Sequence, residues 1–69
     1  MKRCFEYREG IHDKFWTIQT VGGSYLVTFG RIGTTGQTQI KHFSRPSDAL
    51  EKAEKMIESK VAKGYREVH

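Results

Sequence analysis

Apolar and polar residues alternate at period two along the first two thirds of the chain, and at period 3.6 thereafter. In "RCFEYRE", residues 3–9, Phe5 and Tyr7 fall on one face. In "KFWTIQTV", residues 14–21, Trp16, Ile18 and Thr20 share a face and Phe15 takes the other. Both runs are rich in aromatic and β-branched types, which suit a pleated, half-buried surface, and both predict strands. "GGS", Gly22 to Ser24, supplies a tight turn, so residues 14–21 and 25–32 are expected to pair as an antiparallel hairpin. "GTTGQ", Gly33 to Gln37, then leads into "TQIKHF", where alternation makes Ile40 the inward residue and points Lys41 the opposite way.

After "SRPSD" the stripe Ala49, Leu50, Ala53, Met56, Ile57 and Val61 marks an amphipathic helix. Asp48 with Lys52, and Glu51 with Lys55, are spaced for favourable i,i+4 pairs on its polar side. Ser47 is the expected N-cap, Gly64 the expected left-handed residue at the far end, and Tyr65 is free to fold back on the last turn. The stripe needs a sheet to cover. The expectation is an α+β domain spanning residues 1–69, a four-stranded antiparallel meander sheet covered on one face by a C-terminal amphipathic helix.

A chain of 69 residues closes one small core and leaves little room for an enclosed catalytic cleft. Its composition, 36% hydrophobic and 29% charged, is that of a folded domain and not of a disordered tail. The placement of charge says more than the total of +4: Lys14 to Ser47 holds no Asp or Glu, while Lys14, Arg31, Lys41 and Arg45 fall within it. The helical region cancels internally, so the excess positive charge belongs to the sheet, where it favours anionic partners, phosphate chains first among them. Cys4 is the one cysteine, which forbids an internal disulfide and fits a reducing compartment such as the cytoplasm. Neither a secretory signal nor a membrane-spanning run is expected.

Catalytic and metal chemistry find little footing. His12, His42 and His69 lie about thirty residues apart with no Cys-x-x-Cys or His-x-x-x-His spacing, so neither a metal nor any other cofactor is expected. Gly30, Gly33 and Gly36 repeat as Gly-x-x-Gly-x-x-Gly between two strands, which is neither a Walker loop nor a dinucleotide fingerprint. Turn chemistry explains Gly33 and Gly36. Gly30 is left over, because glycine inside a strand weakens it and marks a bulge or a close backbone approach.

"FGRIGTTGQTQIKHF" followed by "DALEKAEKMIESKVAKGYRE" resembles the WGR domain, named for a Trp-Gly-Arg triplet and found in poly(ADP-ribose) polymerases and in bacterial proteins. The resemblance covers nearly the whole chain: Phe15 and Trp16 in the second strand, Gly30 to Thr34, Gly36, Gln37, Phe43, Ala49 early in the helix, Lys60, and Gly64 with Tyr65. In the polymerases the triplet's aromatic residue packs against a terminal nucleotide at DNA breaks. The resemblance therefore assigns a stacking role to Phe29 and a contact role to Arg31. Phe29 replaces the triplet's tryptophan, giving less area and no indole donor, so weaker stacking is expected.

Each candidate has two readings. Phe29 is a packed sheet aromatic or an exposed stacking platform. Gly30 is a bulge or a point where a sugar-phosphate backbone approaches. Arg31, which shares Phe29's face in a regular strand, is solvated, salt-bridged, or a bidentate phosphate ligand. Lys41 and Arg45 add backbone contacts if they lie on the same side. The expected function is a non-enzymatic nucleic-acid-binding module, with DNA favoured and duplex ends included, reading phosphates and sugars without base specificity. The alternative is a protein-interaction or regulatory module docking on an enzyme or regulator, akin to the molybdate-metabolism regulators that the resemblance also brings in.

Overall fold

The computed structural model describes residues 1–69. The alternating runs become β1 (Lys2–Glu9), β2 (His12–Val21), β3 (Ser24–Arg31) and β4 (Gln37–His42), and the 3.6-period stripe becomes α1 (Pro46–Ala62). A three-residue strand, β5 (Arg66–Val68), follows the helix. The sheet thus has five strands and not the expected four, in the order β4-β3-β2-β1-β5 with the neighbouring pairs antiparallel. "REV" is too short for any alternation to show. What holds it is long-range: Cys4 pairs with Val68 and Glu6 with Arg66, while the Arg3 guanidinium donates to both oxygens of Glu67 at 2.8 and 2.6 Å.

The expected hairpin forms with Gly22 and Gly23 as its two-residue turn, Val21 opposite Ser24 and Lys14 opposite Arg31. One sheet face carries Phe5, Trp16, Ile18 and Val27, all buried, and these join Ala53 and Ile57 of α1 in one core cluster. Tyr25, Phe29, Met56 and Tyr65 pack against it from the margin. Burying a large apolar side chain contributes about 1.5–3 kcal/mol, so the five large residues of this cluster, with Ala53 filling the space between, make the principal stabilising element of a small fold.

Ile40 is not inward. It pairs with Leu26, whose neighbour Val27 is the buried residue, and it is 56% exposed on the opposite sheet face. Alternation fixed which residues of β4 share a face but not which face meets the core, and register with β3 decides that. The helix begins two residues earlier than expected: Arg45 is the N-cap, Pro46 opens the first turn, and no side chain caps it. Ser47 therefore lies inside the helix. Proline at the first position removes one of the orphan N–H groups a cap would serve. Asp48 pairs with Arg45 at 3.3 Å and not with Lys52, whereas Glu51 and Lys55 meet at 3.7 Å as expected. Gly64 takes φ 106° at the helix end, and the Tyr65 amide donates to the Lys60 carbonyl at 3.1 Å, folding Tyr65 back on the last turn.

Candidate nucleic-acid interface

Phe29, Gly30 and Arg31 close β3, and β2 continues unbroken beside them: Trp16 faces Phe29, Phe15 faces Gly30 and Lys14 faces Arg31. No bulge interrupts this ladder. Gly30 has another reason. A Cβ built there would stand 3.0 Å from the Gly36 Cα, 3.3 Å from Thr34 Oγ1 and 3.5 Å from the Phe15 ring. The close approach that glycine permits is made by the chain's own loop, so the space expected for a sugar-phosphate backbone is filled from within. The same turn holds Arg31: its carbonyl accepts from the Thr34 amide at 3.1 Å and the Thr34 hydroxyl at 2.7 Å, and the Ile32 amide donates to the Asp13 carbonyl at 3.0 Å.

The Arg31 backbone is thereby fixed while its side chain is exposed and enters no ion pair. Lys14, its direct cross-strand partner, is also exposed and unpaired. Like charges directly opposite on a sheet destabilise it, so this pairing does nothing for the fold. Phe29 is half-buried against the core margin and also lines a groove of about 660 Å³ beside Arg31. Its two readings are compatible. One edge belongs to the core, and the remainder forms the wall of the concavity.

The far wall comes from α1 and the residue beyond it. Lys60 Nζ stands 5.6 Å from the Trp16 ring centre and 5.1 Å from that of Tyr65, and Lys14 Nζ stands 5.8 Å from the Tyr7 ring. Burial first, then the charges of Lys63 and Lys14, hold the Lys60 ammonium below its ordinary lysine value. The rings' negative faces offset part of that cost. Lys14, Arg31, Lys60 and Lys63 thus form a cationic cluster over aromatic surface, with Asp13 the one carboxylate lining the groove. No group of three or more His, Cys, Asp or Glu side chains is placed to hold a metal ion.

The WGR domain model matches residues 1–69. The chain belongs to the WGR domain family. It is 39% identical over 67 residues to the uncharacterised protein YfeS of Escherichia coli (strain K12), and 38% identical over 65 residues to protein YehF of the same organism. These alignments cover 97% and 94% of the chain but 28% and 24% of the relatives, so it spans about a quarter of their length. A Bacteroides fragilis protein of known crystal structure matches the whole chain at TM-score 0.97 and 42% identity, over 20% of its own length.

Within this WGR domain the triplet positions are brought together, but Lys41 and Arg45 are not brought to them. Lys41 pairs with Tyr25, six residues along β3 from Arg31, which is about 20 Å of extended strand. Arg45 caps α1 at that same far end and is engaged by Asp48. Sequence reading missed the helix contribution to the cluster. Lys60 and Lys63 belong to a helical region whose charges cancel, and that sum hides which helix face each occupies. Their spacing from Ile57, three and six residues on, was the available signal, since three places Lys60 beside the buried stripe.

Proposed function

We propose that this WGR domain is a non-enzymatic nucleic-acid-binding module that grips DNA through phosphate and sugar contacts, without reading base sequence. The observation that carries the reading is the pair Lys14 and Arg31: two unpaired cations set directly opposite each other on adjacent strands, flanked by Lys60 and by Phe29. The fold gains nothing from that repulsion, and a phosphate chain supplies the missing counter-charge. Phe29 offers an apolar surface to a sugar or base at the same place, which extends the reading to duplex ends.

Fluorescence anisotropy of a 5′-phosphorylated blunt duplex and a closed duplex of equal length, across a salt series, tests this. Log K is expected to fall linearly with log salt, with tighter binding to the open duplex. Absence of binding at low salt, or an affinity indifferent to salt, overturns it.

A second reading rests on a different observation. The chain matches only a part of each longer relative. A WGR domain carried within larger proteins is also placed to dock on neighbouring protein surfaces and so to act as a regulatory module.

A further inference from the structure

Of the chain's seven lysines, Lys60 alone is half-buried; the other six are exposed. It stands in the last turn of α1, enters no ion pair, and holds its Nζ 5.6 Å from the Trp16 ring centre and 5.1 Å from that of Tyr65. Burial and the neighbouring charges of Lys63 and Lys14 disfavour its ammonium form. A larger share of this side chain is therefore the free amine, and the free amine is the nucleophile. A second cavity, of about 370 Å³, adjoins the groove that Phe29 lines and is bounded by Tyr7, His12, Lys14, Lys60, Lys63 and Tyr65. Phe29 takes no part in it, and neither does any carboxylate. Glu9 accepts from the Tyr7 hydroxyl at 3.1 Å without lining the cavity. A nucleophilic amine thus borders a small space that attracts anions.

We propose that Lys60 is a site of Nε-acylation by small acyl phosphates, whose phosphate rests among Lys14, Lys63 and His12 while the acyl carbon lies against the Lys60 amine. The neutral amine attacks the acyl carbon and a C–N bond forms. The C–O bond to phosphate then breaks, its electron pair leaves on phosphate, and the nitrogen gives up a proton to solvent, so the products are an amide and inorganic phosphate. The cations that draw in the donor also stabilise the departing anion. Acylation itself is independent of the nucleic-acid reading, but its consequence rests on that reading: it removes one positive charge from the wall of the groove and loosens the hold on DNA.

Incubating the intact chain with acetyl phosphate at mildly alkaline pH, and mapping the acetylated lysines by mass spectrometry over time, tests this. Lys60 is expected to react about fivefold faster than Lys41 and Lys52, which are exposed and enter no ion pair. With acetic anhydride, which carries no phosphate, the advantage is expected to shrink to about twofold. Lys63→Gln is expected to slow the labelling of Lys60 by acetyl phosphate about threefold and to leave that of Lys41 unchanged. Labelling of Lys60 no faster than that of Lys41 and Lys52 overturns the site, and an equal advantage with both donors overturns the cavity as the seat of the phosphate. Chain acetylated at Lys60 is expected to bind the blunt duplex about threefold more weakly, and unchanged affinity overturns the regulatory consequence. Selective acetylation of a chain with no affinity for DNA at low salt upholds the acylation site and overturns the nucleic-acid reading instead.

Discussion

Gly36 lies over Gly30 so closely that a Cβ on Gly30 would stand 3.0 Å from the Gly36 Cα. Gly36 is itself more constrained. It has φ 75°, and a Cβ there would meet the Phe29 carbonyl oxygen at 2.5 Å and the Phe15 ring at 2.6 Å. Gly36→Ala is expected to cost about 3 kcal/mol, from left-handed strain and overpacking together, and Gly30→Ala about 1 kcal/mol. Urea unfolding of the two variants gives the order, and a Gly30 variant costing more than the Gly36 variant would refute the packing described.

Lys14 and Arg31 predict opposite signs for stability and binding. Lys14→Glu replaces a cross-strand repulsion with an attraction, and is expected to stabilise the fold by about 0.5 kcal/mol. The same change places a carboxylate in the proposed phosphate site, and duplex affinity is expected to fall by at least about tenfold. Thermal unfolding and anisotropy on one sample read both.

Arg31→Gln is expected to leave stability within about 0.5 kcal/mol of the parent, since the guanidinium enters no ion pair. Its effect belongs in the salt dependence, where the slope of log K against log salt should shrink by about one. An unfolded variant would make Arg31 structural.

Phe29 both packs at the core margin and lines the groove, so Phe29→Ala is expected to cost about 2 kcal/mol, less than the ~3–5 kcal/mol of a fully buried phenylalanine. Preference for open over closed duplex should drop with it. A stability loss at the full-core value with end preference retained would assign the ring to the core alone.

The last strand predicts an acid-sensitive element. Hydrogen bonding from Arg3 chiefly holds the Glu67 carboxyl below its usual range, against a smaller opposing effect of burial. A lowered folded value means that the bridge contributes stability above about pH 4.5, the ordinary value, and loses it as pH falls through the lowered one. Amides of β5 are therefore expected to lose exchange protection below about pH 4, ahead of β2 and β3. Glu67→Gln should show the same fraying at neutral pH.

Much of this fold is legible in the residues themselves. Phe5, Trp16 and Ile18 announce their face by alternation, the Gly22–Gly23 turn sets the hairpin, and Ala49, Ala53 and Ile57 mark the buried side of α1. β5 is not legible, because three residues carry no period and their stability comes from Arg3, sixty-four positions away from Glu67. Ile40 misleads for a related reason: an edge strand's facing is set by its neighbour's register. At the site, Phe29 and Arg31 stand out as a disturbed strand pattern, whereas Lys14 and Lys60 become neighbours only once β2 and the end of α1 are folded together. Lys41 and Arg45 share the acid-free stretch with Arg31 but not its end of the sheet, since charge along a sequence carries no information about distance across a sheet.

The proposed DNA-binding surface is tested most directly by amide chemical-shift mapping of the labelled chain with a short duplex at low salt. Shifts centred on Lys14, Phe29, Arg31, Lys60 and Lys63 are expected, fading together as salt rises. Shifts confined to the Lys41–Arg45 end, or none at low salt, would contradict the assignment of the Phe29–Arg31 groove as the binding surface.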